Sequence, residues 1–258
     1  MLVFGIIFII CLSYAAWKSR TLTKSGMIGA MIVGSAILIG FSWKGLLILG
    51  CFFVTSSLWG KIKSNQKDSL QDLLKKQDQR DIVQVFANGG IPALIAILSL
   101  FDHSNLIDYS MLFSISLAAA NSDTWASEIG TLSKSHPRML LTFKKVERGT
   151  SGAVSLLGTF AALAGACFIA IVAVFLFDLS FMNLIMISVF GFLGNLFDTI
   201  LGQTVQVKYK CRVCHKVTEK KIHCRFQGLK INSISFLDND AVNILSIVLT
   251  TYLALLIL

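Results

Sequence analysis

The segment NSDTWASEIG places Asn121, Asp123 and Glu128 directly behind the apolar run SMLFSISLAAA. Ionisable side chains at such a depth are costly and are retained for function or for pairing. Three other segments repeat the pattern: Gln84 and Asn88 in QVFANGG, Asn195, Asp198 and Gln203 in GNLFDTILGQ, and Asn239, Asp240 and Asn243 in NDAVN. Purely structural networks are the competing reading, and for Asp240 a helix-capping role is an equal alternative. Asn121 and Glu128 share a face of an ideal helix while Asp123 points elsewhere, so either the helix unwinds there or the two acids serve different partners. The spans hold no compensating basic residue, so the acids require a cation. Carboxylate and amide oxygens are hard ligands that suit Mg²⁺, whose protein sites keep waters and add substrate phosphates.

Phosphate needs positive partners, and TFKKVERGTSG supplies Lys144, Lys145 and Arg148 just ahead of Gly149, Thr150, Ser151 and Gly152. A glycine-serine turn feeding a helix N-terminus would present N–H groups to a phosphate. The spacing is not that of a Walker A loop, and basic residues beside a membrane also serve as plain anchors. Acids holding Mg²⁺ beside phosphate-gripping cations at a membrane surface point to phosphoryl chemistry on a lipid headgroup.

A second constellation lies in CRVCHKVTEKKIHC. Cys211, Cys214 and Cys224 with His223 or His215 would complete a tetrahedral Zn²⁺ set, with unliganded loop cysteines as the alternative. Such a metal would staple the loop. Cys11, Cys51 and Cys167 sit in apolar runs, where cysteine acts as a small hydrophobe.

The elements that position these groups follow from composition. Of 258 residues, 55% are hydrophobic and 14% charged, which excludes an ordinary soluble domain and disorder and predicts an all-α polytopic membrane bundle. The run at 1–17 lacks a basic leader and a cleavage signal, so it reads as a retained membrane helix. Further apolar runs at 26–43, 45–59, 82–101, 109–132, 152–177, 184–201 and 241–258 give eight spans, or seven if the short 45–59 run is only partly inserted. Segments 18–25, 60–81, 131–151 and 203–240 hold every Lys and Arg of the chain's 23 except Lys44. That asymmetry places them, and the acidic layer, on the cytoplasmic side, which in a bacterium would be that of the inner cell membrane. The net charge of +9 is therefore a topology signal, and no separate basic domain exists to bind nucleic acid.

The whole chain, 1–258, reads as one integral membrane domain. Within it, the cytoplasmic loop 61–81 carries Leu70, Leu73 and Leu74 at the spacing of a short interfacial helix. The basic Cys/His loop 203–240 contains VQVKYKC, which permits a small hairpin. Pro92, after Gly89 and Gly90, predicts a kink or break in its span. Gly26, Gly29, Gly34, Gly158 and Gly165 predict close helix approach.

The segments QVFANGG, NSDTWASEIG, GTSGAVSLLG, FDTILGQTVQ and LDNDAVN resemble the signatures of the DUF92 family of integral membrane proteins, which includes the phytyl-phosphate kinases of plants and cyanobacteria. The resemblance covers nearly the whole chain. It implies a polytopic enzyme converting an isoprenyl monophosphate to its diphosphate with CTP and a divalent metal. Carried onto this sequence, it implies roles for Asn121, Asp123 and Glu128 in the main acidic block, Asp198 in the second, Asn88 and Asn239 as flanking amides, and Lys144, Lys145 and Arg148 as phosphate partners. The bulky GNLFDT departs from the small-residue version common in the family, which puts the ion geometry there in question. A CTP-dependent cytidylyltransferase acting on a lipid phosphate would use the same groups. A cation-coupled transporter would also accommodate grouped acids and a broken span, although no inverted repeat is visible.

Overall fold

The computed structural model describes residues 2–64, 79–102, 108–146, 150, 152–215, 217–219, 221–231 and 237–258. Seven helices form: α1 (Leu2–Lys18), α2 (Lys24–Ser64), α3 (Ile82–Leu98), α4 (Tyr109–Gly130), α5 (Leu156–Phe177), α6 (Phe181–Thr204) and α7 (Asn239–Ile257). Most start at a short polar residue that accepts from the free backbone N–H three positions on. Asp81 takes Gln84 N at 3.0 Å, Asp108 takes Met111 N at 2.9 Å, Ser155 takes Gly158 N at 3.1 Å, Ser180 takes Asn183 N at 3.2 Å and Asp238 takes Ala241 N at 3.0 Å. Such caps satisfy donors that the helix cannot.

Two helices depart from the expected spans. α2 covers both the 26–43 and 45–59 runs, and Ser42 breaks it with φ 54° and ψ −150°. The chain doubles back there: a Cβ on Gly45 would lie 2.6 Å from Phe41 Cβ and 3.0 Å from Ile37 Cγ2, which a straight helix forbids. α3 continues unbroken through Pro92, contrary to the expected interruption.

By length and composition, four of the described helical stretches can cross a membrane: Lys24–Ile62, Leu156–Phe177, Phe181–Thr204 and Asn239–Ile257. The expected seven or eight spans are therefore met only in part. α1 and α3 are apolar but have 17 residues each. α4 is too polar, and its place in the bundle explains why. It touches α2, α3, α5, α6 and α7, and every residue from 111 to 122 is buried. Protein surrounds it where lipid would otherwise demand apolar side chains. The outer helices reverse this pattern, with Phe4, Phe160, Phe175 and Phe181 largely exposed, as hydrocarbon contact requires. The chain is a multi-pass membrane protein.

Small residues set the central spacing. A Cβ on Gly191 would lie 2.7 Å from Ala118 Cβ, and one on Gly194 would lie 2.5 Å from Ala119 Cβ, so α6 rests against α4 nearly backbone to backbone. Gly26 likewise faces the Arg80 carbonyl and Gly158 faces Gly130, as expected of those glycines.

Beyond the bundle lie short strands: β1 (Arg138–Met139), β2 (Ala153–Val154), β3 (Tyr209–Lys210), β4 (Val217–Thr218), β5 (Ile222–His223), β6 (Phe226–Gln227) and β7 (Leu229–Lys230). β1 pairs with β2, β3 lies between β4 and β7, and β5 pairs with β6, all antiparallel. The loop 203–240 thus folds into a small β module, more than the single hairpin that VQVKYKC suggested. The helix expected within 61–81 lies mostly outside the described residues.

The α4 to α6 contact generates a stability prediction. Gly194→Ala forces the helices apart and should cost about 1–3 kcal/mol in thermal unfolding of detergent-solubilised protein. Gly60→Ala, where an added Cβ meets nothing within 4 Å, should leave the transition unchanged.

Candidate functional site

Caps and packing bring the ends of α4 and α6 and the starts of α3, α5 and α7 to one end of the bundle. There Asn195 Nδ2 of α6 donates to Asp123 Oδ1 of α4 at 3.3 Å. One turn further along α6, Asp198 Oδ2 accepts from the Asn243 side-chain amide of α7 at 2.9 Å, with that amide oriented so that it also donates to Asn239 O at 3.1 Å. Two acids on two helices, each held by an amide from a neighbour, therefore line one side of the bundle end. Both are half-buried, whereas Asn195 and Asn243 are buried. Asp238 is the cap of α7, which leaves Asp240 buried in the first turn and removes capping as its explanation.

α4 stays helical throughout, so the acids of NSDTWASEIG serve different partners. Asn121 Nδ2 donates to Gly165 O at 2.7 Å, and Ser122 Oγ donates to Ala162 O at 2.9 Å, so both stitch α4 to α5. Asn121 is fully buried, with its Nδ2 engaged by α5. Glu128, also buried, lies in the field of Arg80.

Arg80, just outside the spans, adds a basic side chain that the span-by-span reading did not single out. Its backbone is clamped to the start of α2, with Arg80 N donating to Thr21 O and Thr23 N donating to Arg80 O, both at 3.0 Å. Its guanidinium lies 6.0 Å from the Phe52 ring centre and 5.9 Å from that of Phe53. Its accessible area marks it as only half-buried, yet it sits deep among protein atoms. Burial lowers its hold on its proton, and the Glu128 carboxylate opposes that. Guanidinium keeps its charge in either case. Sequence inspection assigned Arg80 to the general positive loop bias; its signal was the position one residue before the Asp81 cap of the helix bearing Gln84 and Asn88. Asn88 itself donates to Gln84 O at 3.2 Å.

The basic segment reaches the same end by a different route from the one expected. Ser155 caps α5, which begins at Leu156, and the strand residues Ala153 and Val154 stand between Gly152 and that cap. Gln203 of α6 fastens the segment. Its Oε1 accepts from Leu141 N at 3.0 Å, and its Nε2 donates to Gly152 O at 2.6 Å. Gly152 has φ +74°, and a Cβ there would meet Gln203 Cγ at 2.8 Å, so glycine is required. Lys144 and Lys145 are exposed on the strap before it, where Met139 N donates to Lys144 O at 2.9 Å. Thr150 O accepts from Ala153 N at 3.1 Å. Arg148, Gly149 and Ser151 lie outside the described residues.

In the β module, the ligand atoms of Cys211, Cys214, His223 and Cys224 lie within 4.8 Å of one another. His223 Nδ1 is 3.4 Å from Cys214 Sγ and 3.3 Å from Cys224 Sγ, which selects it over His215. Val213 N donates to Cys211 Sγ at 3.4 Å. The Cys211 thiol is pulled down to about 6, chiefly by the Cys214 backbone N–H, with burial opposing and His223 and Val213 assisting. Burial first, and then the neighbouring sulfurs, push Cys224 up to about 11. Cys224 and Arg225, at φ 51° and 66°, form the two-residue turn between β5 and β6, a conformation that glycine or asparagine normally takes. Four convergent soft ligands on a strained turn have the chemistry of a metal site.

Comparison with known proteins agrees with this architecture. Residues 7–251 match the model of integral membrane protein DUF92. Protein PGR of Arabidopsis thaliana is 32% identical, over 98% of this chain and 94% of its own length. An uncharacterized membrane protein of Methanocaldococcus jannaschii is 37% identical, over 78% of this chain and 82% of its own. The chloroplastic protein VTE6 of Arabidopsis thaliana is 28% identical, over 91% of this chain and 65% of its own. No solved structure matches. This chain belongs to the DUF92 family of integral membrane proteins.

Proposed function

We propose that the protein is a CTP-dependent kinase that converts an isoprenyl monophosphate of the phytyl type to its diphosphate. The observation that carries this reading is the pair of amide-held carboxylates, Asp123 and Asp198, on adjacent helices at the bundle end where the lysine strap is fastened. Mg²⁺ on Asp123 and Asp198, with Glu128 close by, would bridge nucleotide phosphates, and Lys144, Lys145 and Arg148 would neutralise charge that develops during transfer. Asn88, Asn195, Asn239 and Asn243 would orient the acids and the phosphates. The attacking group is a phosphate oxygen of the lipid. It forms a bond to the γ-phosphorus of CTP, the bridging bond to the β-phosphate breaks, and CDP leaves with the electron pair. The nucleophile is already an anion and needs no general base, so positioning and charge compensation supply the catalysis.

The site end would face the cytoplasm, since the basic segments gather there. Lys44, the exception, pairs with Asp178 at 3.6 Å at the opposite end, which is consistent with eight passes if each arm of α2 crosses and α1, α3 and α4 cross within the bundle. The Cys3His cluster would hold Zn²⁺ as a structural staple, relieving the strain at Cys224 and Arg225 and fixing the chain between α6 and α7.

Turnover of purified protein with phytyl or geranylgeranyl monophosphate, Mg²⁺ and CTP should yield lipid diphosphate and CDP. Asp123→Asn and Asp198→Asn should abolish the reaction, and Asn195→Ala, which removes the amide hydrogen bond to Asp123, should slow it by about 10- to 100-fold. Pyrophosphate and a CDP-lipid in place of those products would mark a cytidylyltransferase. No product from folded, Mg²⁺-binding protein would overturn the transferase reading. For the β module, elemental analysis should find about one zinc per chain, lost in Cys211→Ser and Cys214→Ser. Metal-free protein with an intact loop would refute that site.

A further inference from the structure

A groove of about 460 Å³ runs between α1, α2 and α3, outside the acidic cluster. Its walls are almost wholly apolar, including Phe8, Leu12, Val33 and Leu47, and it reaches from Trp43 at the turn of α2 to Thr55 and Arg80 at the site end. Residues 43–55 make about 18 Å of helix, so the groove follows the bundle through much of its depth. Its polar lining consists mainly of Thr55, Arg80, Gln84 and Asn88 toward the site end, with Ser13 on α1.

We infer that this groove holds the single hydrocarbon chain of a phosphorylated prenyl lipid, with the phosphate at Arg80. Three observations select that occupant. Apart from Ser13 and Cys51 the wall is apolar along its length, so the body of the ligand is hydrocarbon. Among the described residues lining the groove, the one full charge is the Arg80 guanidinium at its end; the Arg80 backbone is held by two hydrogen bonds and its side chain lies against Phe52 and Phe53. A guanidinium placed in this way presents its N–H edge to oxygen, and phosphate matches that fork. At about 460 Å³ the groove is closer in volume to one hydrocarbon chain than to the two of a diacyl phospholipid. The Glu128 carboxylate of α4 acts electrostatically on Arg80, so a headgroup gripped there sits toward the acidic end of the bundle. The inference rests on the kinase reading only for the prenyl identity of the chain.

The ring system at this border fixes the wall. Trp125 stacks on Phe168 at 5.6 Å, meets Trp59 edge-on at 5.9 Å, and donates from Nε1 to Thr55 Oγ1 at 3.3 Å. Phe168 and Thr55 both line the groove, so α4 closes its inner end through these contacts.

Gly50 provides the test, because it lines the groove and a Cβ added there meets nothing within 4 Å. Gly50→Phe should therefore fill the channel without disturbing the helices, with Gly60→Phe as the control outside it. Purified full-length protein is photolabelled with geranylgeranyl monophosphate carrying a diazirine near the chain end, and labelled peptides are mapped by mass spectrometry. Labels should fall on residues 8–16 and 43–55. Gly50→Phe should reduce them roughly tenfold or more, and Gly60→Phe should not. Arg80→Gln should weaken competition by unlabelled prenyl phosphate about tenfold while leaving competition by the prenyl alcohol unchanged. Labelling elsewhere, or labelling that is insensitive to Gly50→Phe, overturns the inference even if the kinase assay succeeds. Groove labelling with the expected variant effects supports it even if no phosphoryl transfer is found.

Discussion

The structure depends on a polar helix being kept away from lipid. α4 carries Ser114, Ser116, Asn121, Ser122, Asp123, Thr124 and Glu128, and it is tolerable in a membrane only because five other helices enclose it. Each polar group then needs a partner inside protein, since an unsatisfied one costs far more in hydrocarbon than in water. Ser114, Ser116 and Thr124 turn back onto carbonyls of their own helix, while Asn121 and Ser122 reach carbonyls of α5. The helix is thereby fixed in rotation, and Asp123 is directed at α6. The packing arrangement and the acidic site are consequences of the same enclosure.

The same constraint explains the glycines. Enclosing a helix on all sides leaves no room for large side chains at its closest contacts, and α6 meets α4 through Gly191 and Gly194 against Ala118 and Ala119. α4 and α6 both run toward the site end, so Asp123-Thr124 and Asp198-Thr199 occupy comparable places on two helices of like direction. Both threonines are buried, and each acid takes an amide from another helix: Asp123 from α6 and Asp198 from α7. The short repeat in the sequence thus marks a spatial echo.

Much of this was legible from residue types. Acids placed within otherwise apolar runs pointed to one end of the bundle, and the clustering of Lys and Arg pointed to the same end independently. The Cys3His set was visible from spacing, but choosing His223 over His215 needed the two-residue turn that folds β5 onto β6. What failed was local inference about the backbone. GTSG resembled a phosphate-binding helix start, yet Ser155, four residues beyond Ser151, is the better cap and takes that role. Pro92 suggested a broken helix, but it costs one hydrogen bond that the surrounding packing tolerates. Counting spans by hydropathy also assumed that every crossing faces lipid, which α4 does not. Arg80 was hidden for a related reason. A charge counted as loop bias is brought against the bundle by backbone pairing to residues 21–23, and no pattern within its own segment encodes that long-range contact.

The two charged centres also differ in kind, and this bears on how the proposed chemistry would be divided. Asp123 and Asp198 offer hard oxygen ligands, each held by an amide from a neighbouring helix, which is the ligand chemistry of an ion that exchanges with its substrate, as Mg²⁺ does. Cys211, Cys214, His223 and Cys224 offer a closed set of four soft ligands with no position left for a substrate, as structural Zn²⁺ sites do. The second set lies in the chain that joins α6 to α7, the two helices whose Asp198 and Asn243 must meet. A rigid module between them shortens the freely moving connection and fixes the register of that meeting, so a soft metal in the loop would act on the hard-metal site through position alone.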